Sequence, residues 1–328
     1  MNASQDVIVI GGSAGAIAPL SALLGGLTGG GLTAAVVVVL HRPAAGSDGL
    51  RSVLERASAL PVRTVVDGDQ LTPGVVFLAP PDYHVVIRRD YLLLVRSAKV
   101  NRMRPAADPL FRSAARWYGA RTIGVVLSGS LDDGSVGLAT IQAVGGAALV
   151  QEPSEALFPG MPANAMAAAP DAKALPAAEL AAAVVELLDR LVPEPAPVPD
   201  AELVAETEMT EQEHSALEAD QPGVPVAVAC PDCRGAMNRI DTAGTLHYRC
   251  HVGHAYSPQN LLAAQSETAE AALWTAVSIL EEQVTVRHTL AERAAGREQH
   301  RHREVAARNA AAAEAVRRAI ASLEPGKD

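Results

Sequence analysis

The sequence predicts an α/β fold: a doubly wound, mainly parallel sheet with flanking helices, extended by a small cysteine-rich ribbon and a C-terminal helical hairpin. Short unbroken apolar runs at residues 7–10, 34–40 and 122–127 read as strands buried on both faces, as the centre of a parallel sheet requires. Helical patterns alternate with them over the first 190 residues, the order that winds such a sheet. The second half holds three clustered cysteines, then two long stretches of apolar residues at helical spacing.

Each element follows from local pattern. The first strand stops at Gly11-Gly12-Ser13-Ala14-Gly15, and residues 17–24 continue as helix. Residues 25–31 are expected as loop, and the second strand ends at His41-Arg42-Pro43. Residues 49–57 are expected as helix, and 62–66 and 75–78 as strands around the Pro73-Gly74 turn. Residues 85–87 and 91–95 form a predicted hairpin around Arg88-Arg89-Asp90. Helix is expected over 108–118, strand over 122–127, helix over 136–144, a last strand over 147–150 and a closing helix over 177–191.

The chain has 328 residues, enough for two domains and a sizeable core. No basic segment precedes the first apolar run, and no apolar stretch reaches the roughly 18 residues that span a bilayer. A soluble, cytoplasmic protein without membrane insertion is expected. Ten of the 37 acids lie between Leu191 and Cys233, a segment with no Lys or Arg, so the rest of the chain has as many acids as its 27 bases. That segment therefore carries the net charge of −10, which argues against a nucleic-acid face and for a solvated tether over 193–226.

Strands of a parallel sheet deliver their carboxyl ends to one edge, where ligands bind. Here those ends carry reactive residues: Ser13 follows the first strand, His41 the second, and Ser128 to Asp133 the strand at 122–127. A dinucleotide turn needs G-x-G-x-x-G, and Ser13 occupies its second glycine. The G-x-S-x-G pattern of a serine nucleophile is met by Gly11, Ser13 and Gly15. With His41 as base and Asp133 as the carboxylate that fixes its tautomer, the set is that of a serine hydrolase. Its order, Ser, His, Asp, differs from that of α/β-hydrolases. Such chemistry needs no cofactor.

Residues from about 5 to 170 resemble the catalytic domain of the CheB chemotaxis receptor methylesterases. The matching segments are residues 10–15, His41-Arg42-Pro43, residues 73–80, His84, Arg104-Pro105-Ala106-Ala107-Asp108, residues 128–134 and Phe158-Pro159-Gly160-Met161-Pro162. The resemblance implies a domain over 1–192 that cleaves glutamate methyl esters on receptor helices, releasing methanol, with some members also deamidating glutamine. It implies Ser13 as nucleophile, His41 as base, Asp133 as its orienting carboxylate, and methylated chemoreceptor-type proteins as partners. The family reads Thr-Gly-Met-Gly where this chain has Ser128-Gly129-Ser130-Leu131; a backbone amide survives at Ser130, but Leu131 replaces a glycine whose conformation leucine resists. Many members carry a phosphorylatable receiver domain before the catalytic domain. None is expected here, so a separate regulatory protein would take its place. The alternative reading is a catalytically weak scaffold that binds partners through the α/β domain and the C-terminal arm.

Cys230-x2-Cys233 and Cys250-x3-His254, separated by sixteen residues, give two turns of ligands to one tetrahedral zinc. His251 and His247 are rivals for the fourth position; His254 is preferred. A closed four-ligand site makes the zinc structural, within a ribbon over 227–257. Residues 258–324 are expected as a helical hairpin broken near Gly296, with seams at Leu273, Val277, Leu280 and Val284 and at Val305, Ala312, Val316 and Ile320. These seams offer a dimer contact. Arg297 to Arg303 reads as a solvated helix face, since no aromatics for stacking lie beside it.

Overall fold

In β1 (Asp6–Gly12) and β2 (Ala34–Leu40) nearly every side chain is buried. Val7 and Val9 face one hydrophobic layer while Ile8 and Ile10 face another. A strand with two covered faces cannot alternate apolar with polar, which is why these segments are unbroken apolar runs. The computed structural model describes residues 6–27, 32–42, 49–190, 201–211 and 222–323.

In chain order, β1 leads to α1 (Ile17–Gly26), β2, α2 (Gly49–Ala57), β3 (Val62–Thr64), β4 (Asp69–Gln70), β5 (Val76–Leu78), β6 (His84–Arg88), β7 (Tyr91–Val95) and α3 (Ala107–Tyr118). Then come β8 (Thr122–Val126), α4 (Ser135–Ala143), β9 (Ala147–Gln151), α5 (Gly160–Ala168), β10 (Lys173–Leu175), α6 (Ala177–Arg190) and α7 (Ala201–Glu211). The main sheet runs β10-β9-β8-β1-β2-β5-β3, and every neighbouring pair is parallel. Leu110, Phe111, Leu138 and Met161 of α3, α4 and α5 cover one face; Leu20, Leu54, Leu180 and Val184 of α1, α2 and α6 cover the other. From β1 the chain first goes to β2 and later returns to β8 on the opposite side. That reversal opens a crevice beyond the carboxyl ends of these strands.

Several expectations are corrected. Helix α1 runs through Gly25 and Gly26, which were expected as loop; residues 28–31 lie outside the described residues. The strand at 147–150 is not the last, because β10 adds a further parallel edge. Within the acidic segment read as tether, α7 is a helix packed on α3, with Leu203 and Glu206 buried. Of the rest of the tether, 193–200 and 212–221 lie outside the described residues, as does Pro43, and the expected end at 226 is corrected because the first ribbon strand already begins at Val224.

The ribbon is an antiparallel sheet of β11 (Val224–Ala229), β12 (Ala236–Thr242), β13 (Thr245–Cys250) and β14 (Ala255–Tyr256). It belongs to the same unit as the main sheet, Met1–Leu261. Residues Leu262–Asp328 make a second unit, in which most of α8 (Pro258–Arg293) pairs with α9 (Gly296–Leu323). Asn309 Nδ2 donates to Gln283 Oε1 at 2.9 Å and Arg287 lies 3.1 Å from His302 Nδ1, fixing an antiparallel hairpin. Its second seam runs through Ala306, Ala313 and Ile320, seven residues apart; Ala312, placed in that seam from sequence, is exposed, one position out of phase. No helix among the described residues is long and apolar enough to cross a membrane.

Candidate active site

Ser13 leaves β1 in a turn that its neighbours force to be small. A β-carbon on Gly12 would stand 2.7 Å from Ala16 Cβ, and one on Gly15, whose φ is +77°, 2.7 Å from Ser128 Oγ. The Ser13 N–H donates to the Ser128 carbonyl at 2.9 Å, tying the ends of β1 and β8 together. One residue beyond β2, the His41 N–H donates to the Gly12 carbonyl at 3.1 Å. Ser13, His41 and Asp133 thereby line one cavity of about 430 Å³.

Asp133 is buried, and its Oδ2 lies 2.7 Å from His41 Nε2. It also sits at the N-terminus of α3, accepting from the Ala107 N–H at 2.6 Å and, at 3.4 Å, from that of Asp108. A helix N-terminus favours an anion through these unpaired donors and its dipole. Burial pushes the Asp133 carboxyl up, but the hydrogen bond and charge of His41, the Ala107 amide and Asn101 outweigh it and hold the carboxyl below its ordinary value. With the carboxylate on Nε2, the other imidazole nitrogen, Nδ1, is left for a proton on the opposite side.

Sequence reasoning missed the carboxylate's supports. Asn101 Nδ2 donates to Asp133 Oδ1 at 3.0 Å and to Asp108 Oδ2 at 2.9 Å. The one visible signal was an Asn before the Arg104–Asp108 motif; its φ is +49°, a region Asn enters more readily than most residues. His84, matched on sequence without a role, accepts the Ala106 N–H on Nδ1 at 3.3 Å, so its Nε2 carries the proton given to the Ala98 carbonyl at 3.1 Å. Burial lowers its pKa to about 4, and the neutral ring fixes the chain where α3 begins.

Beside Ser13, Ser128 Oγ donates to the Ala14 carbonyl at 2.8 Å and accepts from the Phe158 N–H at 3.0 Å. The Gly129 N–H donates to the Phe158 carbonyl at 2.9 Å, and Met161 Sδ would stand 2.1 Å from a β-carbon on Gly129. The Phe158–Pro162 motif thus locks the loop after β8. Ser130 and Leu131 line the cavity, and the Ser130 N–H has no acceptor among the described residues. Leu131 adopts a φ of +63°, the left-handed conformation expected of the family's glycine, at a cost of about 1–2 kcal/mol for a side chain with a β-carbon.

The ligand atoms of Cys230, Cys233, Cys250 and His254 all lie within 4.8 Å of one another, a set able to hold a metal. Cys233 Sγ and Cys250 Sγ are 3.6 Å apart, and Cys250 Sγ is 3.6 Å from His254 Nδ1. That spacing is too long for a disulfide and close to the edge of roughly 3.7 Å that follows from tetrahedral Zn–S bonds. The His254 Nε2 faces the Asp232 carboxylate at 3.8 Å, the usual outer partner of a ligating imidazole. The rivals are placed elsewhere: His251 is exposed with its ring against Gly235, and His247 Nε2 bonds Glu206 Oε1 at 2.6 Å.

The family model for CheB methylesterase matches residues 8–184. A protein-glutamate methylesterase/protein-glutamine glutaminase of Caulobacter vibrioides is 35% identical over 162 residues, covering 48% of this chain and 46% of its own length. One of Anaeromyxobacter dehalogenans is 38% identical over 164 residues, covering 49% and 48%. The chain thus spans about half the length of the curated relatives it matches. The crystal structure of the Thermotoga maritima CheB methylesterase catalytic domain matches with a TM-score of 0.54 and 31% identity, over 56% of this chain and 100% of that one. By the reach of that family model and the fold it shares with the Thermotoga domain, this chain belongs to the CheB methylesterase family.

Proposed function

We propose that the chain is a serine hydrolase that removes methyl groups from glutamate methyl esters of chemoreceptor-type proteins. The observation that carries this reading is the 2.7 Å bond between His41 Nε2 and the buried Asp133, made in a cavity that Ser13 also lines. In this reading Asp133 keeps the proton on Nε2, and His41 Nδ1 takes the Ser13 hydroxyl proton as Oγ attacks the ester carbonyl. The unpaired Ser130 N–H is suited to the developing oxyanion; a donor of this kind contributes about 3–4 kcal/mol. The tetrahedral intermediate collapses as His41 returns its proton to the methoxide, and methanol leaves. Water, deprotonated by His41, then attacks the glutamyl ester of Ser13 and frees the carboxylate. With glutamine the same steps release ammonia, in keeping with the double name of the relatives. The test is methanol release from a methylated receptor fragment. Ser13→Ala should lower the rate by about 10⁴-fold or more; a variant that releases methanol at the wild-type rate overturns the reading.

The donors Cys230, Cys233, Cys250 and His254 suit a structural zinc, since four protein ligands leave no open position. The partners in this reading are methylated receptors, reached from the cytoplasm, and a separate regulatory protein. Trp274, Ile279, Val286 and Leu290 of α8 are exposed apolar residues that suit a dimer contact.

A further inference from the structure

The ribbon and the start of α8 lie outside residues 8–184, yet they reach the candidate catalytic carboxylate. β14 is joined to the strand of chain before α3: the Asn101 N–H donates to the Ala255 carbonyl at 2.8 Å. Two residues later the Ser257 N–H donates to Asn101 Oδ1 at 2.9 Å. This bond settles which way the Asn101 amide points. Its oxygen must face the Ser257 N–H, so its NH₂ must face Asp108 and Asp133. Ser257 Oγ then donates to Asp132 Oδ1 at 2.5 Å, and Asn260 Nδ2 donates to the same oxygen. Asp132 is buried and precedes Asp133. Without these donors it would be an unpaired carboxylate in the interior and would pull the loop outward. Asn260 and Asp232 also line the cavity that holds Ser13 and His41, and Asn260 Oδ1 has no partner among the described residues.

We propose that the joint between ribbon and long helix is part of the active site: Ser257 and Asn260 are positioning residues that hold Asn101 and Asp132, and through them the carboxylate of Asp133. This inference rests on the hydrolase reading, because it assigns Asp133 its role. The geometry explains why the two segments are built into one unit, and it makes the pocket of this chain different from that of a catalytic domain lacking a ribbon. Asn260 and Asp232 both line the pocket, so the extension also bears on which ester side chains enter.

The test uses the full chain with Ser257→Ala and Asn260→Ala, each reacted with a fluorophosphonate probe that labels an activated serine. The metal content and melting midpoint of each variant are followed alongside. Labelling at least tenfold slower than wild type, at unchanged metal content and with the variant still folded at the assay temperature, is the expected result. Ser257→Thr, which keeps the hydroxyl, should recover the rate. A merely structural role would lower the melting midpoint and leave the labelling rate of the folded protein within twofold of wild type, which overturns the proposal. If one alanine variant fails to fold, the other carries the comparison. A second readout does not depend on activity. The proton on His41 Nε2, bonded to Asp133, gives a downfield NMR resonance that should move or vanish in both variants. A wild type that does not label sinks the hydrolase reading; the resonance then decides the brace, supporting it if displaced and ending it if unmoved.

Discussion

Asp108 and Asp133 are two buried carboxylates that share one donor, the Asn101 amide. Their environments push them apart. Asp133 has His41 and a helix N-terminus; Asp108 has the Gly137 N–H at 2.8 Å and a neighbour already charged. Burial, then the Asp133 charge, raise Asp108 from its ordinary 3.8 to about 7. Between those values the folded chain keeps a proton that the unfolded chain has lost. The folded state binds more protons there, so this group makes stability fall as pH rises through the window. Asp108→Asn has no such proton to lose. His84, lowered to about 4, acts in the opposite sense over the same range, so the difference between the two proteins is what reads Asp108. Followed from pH 4 to 7 at fixed salt, the urea midpoint of Asp108→Asn should move upward relative to that of the wild type as pH rises. An identical slope in both proteins would mean that Asp108 titrates as an ordinary surface acid.

At the scale of elements, α7 shows where composition misleads. Glu206 is wholly buried: Arg112 of α3 donates to its Oε1 at 3.1 Å, His247 of the ribbon stands 2.6 Å away, and Thr242 donates to Oε2 at 3.1 Å. Arg249 reaches its backbone carbonyl at 3.3 Å. Sequence gives an acidic run without bases, because the basic groups that face Glu206 come from α3 and from one ribbon strand, β13, while Thr242 of β12 adds a neutral donor. By contrast β1, β2 and β8 were readable, since both faces of each are covered and the pattern needs no distant partner. That Ser13, His41 and Asp133 share one cavity was readable because Ser13 and His41 directly follow β1 and β2 and Asp133 lies on the loop after β8; Asn101, Ser257 and Asn260 were not readable, because their contacts arise only from long-range packing. The short edge strand β10 and the weakly amphipathic α5 left no local signal either. Burial pushes Glu206 up, but the charges of His247 and Arg112 prevail and hold it well below its ordinary 4.5. A lowered carboxylate contributes stability above that ordinary value and loses it as pH falls below. Glu206→Gln leaves buried cations unpaired and should cost about 3–5 kcal/mol at neutral pH. It should also flatten the acid limb of the stability profile. Urea unfolding at pH 7 and pH 4 measures both, and a loss equal at the two pH values would show that the cluster holds shape rather than charge.

Over the whole molecule, the sheet edge that holds Ser13 and His41 is reached by three strand ends of the main sheet and a fourth time by the chain leaving the ribbon. Asp232 lies between the first two metal-site cysteines, lines the cavity, and accepts from Tyr256 OH at 2.5 Å. Tyr256 in turn precedes Ser257, which touches Asn101 and Asp132. A bound metal would therefore anchor the ribbon on the side of its small sheet that faces the site, while the main sheet keeps two apolar layers of its own. The stabilities of the two parts should separate when the metal is taken away. In Cys230→Ser, or after chelation, bound zinc should fall from one per chain to none. Amide hydrogens of β12 and β13 should then lose protection from exchange by about a hundredfold, whereas those of β1, β2 and β8 stay slow. Equal loss in both sets would mean that the two parts unfold as one, and unchanged protection in β12 and β13 would mean that the ribbon stands without a metal.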